Sequence, residues 1–409
     1  MKPCANLLRI CAITHVAMPK RKKVALLIES SRAYGRGLLR GVASYLHAHP
    51  DWSVYLQSRS PEDPPPPWLE GWDGHGIIAR VESRTLEQAI RRTGLPVIDV
   101  RGAFDLEMPL VETNEHSTCR LAFEHLRSRG FRNLAFCGFA GANYSERRLR
   151  YFRELASAPE FSFESYESPI SGQTGSELML SSREQLAMFS ANSLTRWLQE
   201  LPKPVGLFAC NDVCGQQVLN ACREAGLAVP EQIAVLGVDN DTVHCELSEP
   251  PLSSIQLNAE RIGSVAASLL DDLMEGGRQP SAKTFIDAVQ IVVRQSTDIV
   301  AVDDDVVARA VRFIRQNASD AIGVSDVVRA AGVSRRQLER RFQQHLQRTP
   351  NDEIQRVRIR RIKELLTGTD LSLSEIAANI GFDHPEYLST LFKKAVGITP
   401  IAFRRQQKA

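Results

Sequence analysis

Near the carboxyl end, Arg335, Arg336, Glu339, Arg340 and Gln343 surround two apolar residues four apart, Leu338 and Phe342. That spacing puts Leu338 and Phe342 on one buried helix face and leaves the five polar side chains largely outward. Guanidinium, carboxylate and carboxamide groups on an exposed helix face are the types that reach base edges and phosphates from a major groove. The chemistry predicted is therefore non-covalent reading of DNA. Against an enzyme, the chain has no G-x-S-x-G, no Walker P-loop, no H-E-x-x-H and no evident acid/base set. Its eight cysteines, at 4, 11, 119, 137, 210, 214, 222 and 245, have neither paired CxxC spacing nor His partners at zinc intervals. Free buried thiols are expected, with no metal and no cofactor. Cys210 and Cys214, four apart, allow a redox or metal pair, yet two small apolar-like fillers are the expected reading.

The elements that must position these groups are helices joined by tight turns. A short helix from Val324 to Ala331 stops at Gly332, and Ser334 with Gln337 forms a capping box that opens a second helix to about Leu346. The pattern then repeats. Ser372 to Ile380 precedes Gly381, Asp383-His-Pro-Glu386 reads as another capping box, and Leu388 with Phe392 repeats the buried pair. A connecting helix, about Asn351 to Leu366, carries Arg356, Arg358, Arg360, Arg361 and Lys363, read mostly as a solvated face that salt-bridges to neighbours. Upstream, Asp303 to Asp305 suit the start of a helix with the stripe Val307, Ala310, Val311 and Ile314. Two helix-turn-helix patterns with matching caps and cores are a far stronger signal than one.

Before about Thr297 the rhythm is different. Short β-branched runs at Val24–Ile28, Trp52–Gln57, Gly76–Arg80, Pro96–Val100, Leu134–Gly138, Val205–Ala209 and Ile233–Val238 alternate with helical patterns. The helices are expected at Ala33–Ala48, Thr85–Arg92, 114–130, Ser145–Ala156, 185–201 and Val213–Ala225, with a last stripe from Ile262 to Leu273. Such alternation implies parallel sheets covered on both faces. Nearly 270 residues of it fit two doubly wound lobes that share a cleft. The domains expected are a poorly ordered extension over 1–22, an α/β body over 23–299 and an all-α domain over 300–409.

Charge supports that division. The 409 residues carry a net +2, but residues 300–409 hold 19 Lys and Arg against 13 Asp and Glu, and the remainder 31 against 35. A mildly acidic body thus adjoins a basic end, a cue for nucleic acid binding there. No apolar run reaches the roughly 18 residues of a membrane span, so no membrane partner is expected. The stretch Leu7–Ala17 is broken by Arg9, Cys11 and His15 and is followed, not preceded, by the basic run Lys20–Lys23. That order is unlike a signal peptide, so a cytoplasmic protein is expected, with Met18 as an alternative start.

Two resemblances sharpen the reading. Gly381-Phe382, Tyr387-Leu388, Phe392-Lys393-Lys394, Gly397-Ile398-Thr399-Pro400 and Phe403-Arg404 resemble the carboxyl-terminal signature of the AraC-type transcription activators, over about residues 303–405. In that family two recognition helices enter successive major grooves. The resemblance implies DNA contacts for Arg336, Glu339 and Arg340, and in the second helix for His384, Glu386, Ser389 and Thr390. Leu388 and Thr390 stand where the family often has Phe and Arg, and Ile362 where it often has Ala, so the second unit is expected to hold phosphate more than to read bases.

Ala209-Cys-Asn-Asp212, Val235-Leu-Gly-Val-Asp-Asn240, Pro250-Pro-Leu-Ser-Ser-Ile255 and Val293-Arg-Gln-Ser-Thr297 resemble the effector-binding core of the lactose/galactose repressor family, itself similar to periplasmic sugar-binding proteins. The implied fold is α/β: a two-lobed periplasmic-binding-protein-like sensor of doubly wound sheets, followed by an all-α domain with two helix-turn-helix units. By this resemblance Arg148, Asn211 and Asp239 contact the hydroxyls of a sugar, as planar two-pronged groups suit vicinal hydroxyls. Each has an alternative: Asn211 or Asp212 as a helix cap, Asp239 as the closure of a tight turn, Arg148 as a surface charge. Tyr34, in the loop after the first strand, either stacks on a sugar ring or packs within a lobe.

Sensor first and reader last, with the Arg32-Ala-Tyr34 loop, resembles the family of xylose-responsive regulators. The resemblance implies a sugar effector, D-xylose or a related aldose, and a homodimer on double-stranded operator DNA that acts as an activator with RNA polymerase as a further partner. The alternatives are a sugar-modifying enzyme on the same α/β body, and a repressor or DNA binder without a sugar effector.

Overall fold

A computed structural model describes residues 21–408 apart from 60–62, 169–190, 278–282, 300–303, 318–319, 321 and 383. The α/β part begins with β1 (Lys22–Leu27), α1 (Ala33–Ala48), β2 (Trp52–Leu56), β3 (Gly76–Ala79), α2 (Arg84–Arg92), β4 (Val97–Asp99) and β5 (Val111–Thr113). It continues with α3 (Glu115–Ser128), β6 (Asn133–Phe139), α4 (Asn143–Leu155), β7 (Ser162–Ser168), α5 (Ala191–Glu200), β8 (Val205–Ala209) and α6 (Asp212–Glu224). It ends with β9 (Ile233–Val238), α7 (Thr242–Leu247), β10 (Ser253–Gln256), α8 (Ala259–Met274), β11 (Thr284–Ile286) and β12 (Gln290–Val292). The helical part comprises α9 (Asp305–Gln316), α10 (Val324–Ala331), α11 (Arg335–Leu346), α12 (Pro350–Gly368), α13 (Leu373–Asn379), α14 (Pro385–Val396) and α15 (Pro400–Lys408).

The chain divides into two compact units, one running up to Thr113 with Asn258–Ile286 added, the other built from Asn114–Leu257 and everything from Asp287 onward. In the first unit a parallel sheet has the order β2-β1-β3-β4. Strand residues alternate between faces: Val24, Leu26 and Ile28 pack with Leu38 and Val42 of α1 and Ile262, Ala266 and Leu270 of α8. Ala25 and Leu27 turn the other way onto Leu86 and Ile90 of α2. Both faces are thus covered, as a parallel sheet requires. Helices α1 and α8 meet through glycines: a Cβ at Gly41 would lie 1.9 Å from the Glu260 carbonyl oxygen, and one at Gly263 2.1 Å from that of Leu38.

The second unit holds a six-stranded sheet of order β12-β10-β9-β8-β6-β7. All its pairs are parallel except β12, which runs antiparallel to β10. Strand β7, Ser-Phe-Glu-Ser-Tyr-Glu-Ser, is absent from the sequence reading because it is a polar edge strand without a β-branched run. The helix expected from 185 is seen from Ala191, the earlier residues lying outside the described ones.

The helical part follows its caps closely. Ser334 Oγ accepts from Gln337 N at 3.3 Å while Gln337 Oε1 accepts from Ser334 N at 3.1 Å, and α11 ends at Leu346. Asp304 Oδ1 accepts from the Val306 and Val307 amides at 3.0 Å and starts α9. Ser372 and Glu375 form a further box ahead of α13. Ahead of α14, where a box is expected at Asp383 and Glu386, Pro385 is the first helical residue and His384 takes the cap position without a side-chain cap bond. Asp383 lies outside the described residues. Leu338 and Phe342, and Leu388 and Phe392, are fully buried. Among the described residues no helix is long and apolar enough to cross a membrane.

Candidate functional site

In the second unit the carboxyl ends of β6, β8 and β9 deliver Arg148, Asn211 and Asp239 to one place. Arg148, on α4, is only 3% exposed, which rules out the surface-charge alternative. Its Nε and Nη2 donate to the two carboxylate oxygens of Glu115 at 2.6 and 3.0 Å, and Nη1 donates to the Cys210 carbonyl. Burial disfavours the charged guanidinium, but the charge and hydrogen bonds of Glu115, with the charge of Asp239, hold its pKa above the ordinary value. The guanidinium lies 5.4 Å from the ring centre of Tyr144. Asn211 is the cap of α6, with Oδ1 accepting from Cys214 N at 2.8 Å, while its Nδ2 donates to the Tyr144 hydroxyl at 3.2 Å. The cap role and an inward amide therefore coexist.

Asp239 follows β9 at φ 106, and Asn240 follows at φ 50. A non-glycine residue at such a φ is strained, and strain of this kind collects at ligand sites. The turn reading is met, and the Asp239 charge acts on both Arg148 and Asp212. Behind it, Asp212 Oδ1 accepts from Ser254 Oγ at 2.5 Å and Oδ2 from the Asp241 amide at 2.7 Å. Burial and then the Asp239 charge push the Asp212 carboxyl well above the usual range.

Tyr34 belongs to the first unit. Its ring packs against the core that contains Val24 and Leu38, its hydroxyl lies 3.2 Å from Thr113 Oγ1, and the Arg80 guanidinium lies 5.2 Å from its centre. Arg80 pairs with Glu29 and, at 3.0 Å, with Glu82, which also takes Arg101 at 3.0 Å. Burial raises the Glu29 pKa despite Arg80, whereas Arg101 and Arg80 overcome burial at Glu82 and lower it. Sequence reasoning missed this network, along with Glu115 and Tyr144. The signal available was three charged residues, Glu29, Arg80 and Arg101, each placed just beyond a strand.

On the reading side, Arg335, Arg336 and Arg340 are exposed, and so are His384, Glu386 and Thr390, while Glu339 and Ser389 are half-buried. Arg335 Nε donates to Glu339 Oε1 at 2.9 Å, and Thr390 Oγ1 donates back to the Glu386 carbonyl at 2.9 Å. Gln343 and Lys393 extend the same exposed faces. Arg341 turns away to Asp304.

The linker helix α12 is less solvated than its composition implies. Arg356 and Arg360 both grip Asp298, whose backbone carbonyl also accepts from Arg315. Burial opposes the Asp298 charge, but Arg356, Arg360 and Arg315 outweigh it and hold its pKa low. Arg315 in turn meets Glu231 at 3.2 Å. From Thr297, next to Asp298, hydrogen bonds run back into the sheet: Thr297 Oγ1 to Ser253 Oγ, 2.8 Å, and Ser253 Oγ to the Arg294 carbonyl, 3.0 Å. Arg294 Nη2 then donates to Asn240 Oδ1 at 2.9 Å, beside Asp239. His125 accepts at Nδ1 from Arg129, so its Nε2 carries the proton and donates to Thr297 Oγ1. Burial, then Arg129, lower its pKa to about 3. The six described cysteines, Cys210 and Cys214 among them, are free and buried, and among the described residues no cluster is fit to hold a metal.

Two linked parts define the class: a transcription regulator with a helix-turn-helix DNA-binding domain and a domain of the periplasmic-binding-protein type. Residues 123–297 match the periplasmic binding protein-like domain, residues 327–406 a helix-turn-helix domain, and residues 23–113 the XylR N-terminal domain. The chain resembles the xylose operon regulatory proteins along nearly its whole length. It is 29% identical to that of Escherichia coli (strain K12), covering 94% of this chain and 97% of the relative. To that of Haemophilus influenzae it is 28% identical, covering 93% and 98%. The structure of the xylose-binding transcription activator xylR superposes with a TM-score of 0.78 at 29% identity, over 94% of this chain and 98% of that one. A CelR–cellobiose complex, 22% identical with a TM-score of 0.53 over 68% and 86%, shares the fold.

Proposed function

We propose that the effector is D-xylose or a closely related aldose and that the protein is an activator without enzymatic activity, working in the cytoplasm as a homodimer on tandem operator half-sites, with RNA polymerase as its partner. The observation that carries this reading is the resemblance to xylose regulators in domain order and over nearly full length. The chemistry of the site agrees with it. Arg148, Asn211 and Asp239 offer guanidinium, amide and carboxylate groups side by side, a set that can pair with vicinal hydroxyls. On the DNA side, Arg336 and Arg340 are the expected readers of base edges. Arg335, paired with Glu339, is better suited to a backbone phosphate, as are His384, Ser389 and Thr390 beside Glu386.

Control requires the sugar to bind the DNA-competent arrangement better than the incompetent one. The test is a thermal-shift screen of pentoses and hexoses, with Asp239→Ala as control, run beside operator binding with and without each sugar. A ligand bound only by the native state raises the melting temperature. Xylose is expected to give the largest shift and to tighten operator binding. Turnover of the sugar with unchanged DNA binding would overturn the regulator reading, and no shift with any sugar would remove the effector.

A further inference from the structure

Within the second unit, the stretch after β12 and the helices α12 and α14 line an open-mouthed cavity of about 550 Å³, a size ordinary for small-molecule sites. Arg294, Arg356, Arg360 and Lys363 line it, against the carboxylates of Asp298 and Asp352. Both carboxylates are already engaged. Asp298 is held by Arg356 and Arg360, and Asp352 accepts from the Thr349 amide at 2.9 Å and hydroxyl at 2.7 Å in the cap of α12.

The other two cations are not neutralised in this way. Arg294 donates to two neutral oxygens, the Leu252 carbonyl and Asn240 Oδ1. The Lys363 ammonium lies 5.8 Å from the Phe403 ring centre, and among the described residues neither forms an ion pair with a carboxylate. Two positive charges left over in one concave groove favour a doubly charged anion, and Arg with Lys is the pairing that suits phosphate. Val293, Ile359 and Leu391 add an apolar wall on which a small carbon skeleton can rest.

We propose that this cavity is a second ligand site, separate from the sugar site, for a small phosphate dianion, either a phosphorylated polyol or free inorganic phosphate. Its walls come from both the sensor and the reader, so occupancy bears on how the linker helix is held. A phosphate oxygen at Arg356 or Arg360 competes with Asp298 for the same guanidinium groups.

The experiment is calorimetric titration of the full chain, without DNA, using a pentose 5-phosphate in one arm and inorganic phosphate in the other. Each arm is repeated in saturating unphosphorylated pentose. The expected result is saturable binding at one site per chain that persists in the presence of pentose and weakens at least tenfold in Lys363→Gln, a half-buried surface position whose variant keeps its melting temperature. Arg294→Gln weakens it similarly. A stronger pentose phosphate response assigns the polyol ester, an equal one free phosphate. Absence of saturable binding at millimolar ligand, displacement by pentose, or unchanged binding in Lys363→Gln would each overturn the proposal.

Discussion

Glu115→Gln removes a charge and leaves the shape. The Glu115 and Arg148 side chains are 6% and 4% exposed and meet through two charge-assisted hydrogen bonds of 2.6 and 3.0 Å. Breaking a buried pair by neutralising one partner leaves an uncompensated buried charge and costs about 3–5 kcal/mol. A glutamine oxygen still accepts one of the two bonds, so the lower end, about 3 kcal/mol, is expected for Glu115→Gln and the upper end for Glu115→Ala. In a domain of this size that is a drop of about 6–12 °C in melting temperature. The assay is calorimetric and urea unfolding of both variants beside the pair replacement Glu115→Leu with Arg148→Met. The pair replacement recovers most of the stability, because apolar substitutes for a whole ion pair are often neutral. It does not recover sugar binding, which falls by about 30-fold or more when a two-pronged donor worth about 2 kcal/mol is lost. A Glu115→Gln loss below about 1 kcal/mol, or full sugar affinity in the pair replacement, would refute the reasoning.

Four further outcomes are expected. Arg336→Ala and Arg340→Ala each weaken operator binding about tenfold and relax base preference at one position, whereas Arg335→Ala weakens all sequences alike and lowers the salt slope by about 1, read from binding isotherms at several ionic strengths. His125 stays neutral in the fold with a pKa of about 3, while the unfolded chain protonates it near 6.5. Its contribution is therefore complete above pH 6.5 and is lost as pH falls toward 3, by about 1.4 kcal/mol per pH unit. The difference in unfolding free energy between wild type and His125→Gln across that window checks this. Asp99, raised to about 6 mainly by burial against backbone hydrogen bonds, runs the other way: stability is lost as pH climbs from about 4 to 6, and Asp99→Asn flattens that slope. Asp298→Asn removes the carboxylate shared by Arg356 and Arg360, which at 18% exposure is worth about 1–2 kcal/mol after screening. Hydrogen exchange in α12 should rise accordingly.

How much of this was legible in the sequence depends on how local each determinant is. Capping and helix stripes are local, so Ser334 with Gln337, the Ala33–Ala48 helix and the Ile233–Val238 strand are found where the pattern puts them. Short strands are set by their neighbours: β5, β10, β11 and β12 have three or four residues and no period to read. Pro385 suits the first helical position, and α14 begins there. At the candidate site, Asn211 and Asp239 are legible because each closely follows a strand, and Arg148 because it sits on the helix after one. Their supports are not, since Glu115 is 33 residues from Arg148 and Asn240 is 54 from Arg294. The arginines of α12 show the same limit: their charge is plain in the sequence, but their common anchor, Asp298, is not.

The seam of α1 against α8, where Gly41 and Gly263 admit close approach, bears on how the chain is born. The apolar face formed by Val24, Leu26, Leu38 and Val42 is synthesised early, yet its cover does not exist until Met274 has been added. Residues 114–257 are made in between, which at about 5–20 residues per second leaves that face bare for roughly 7–30 s. Holding the nascent chain apart from its neighbours during that wait is a task for the cell. Truncation anywhere between β4 and α8 should give an aggregating product, even though β1–β4 are all present.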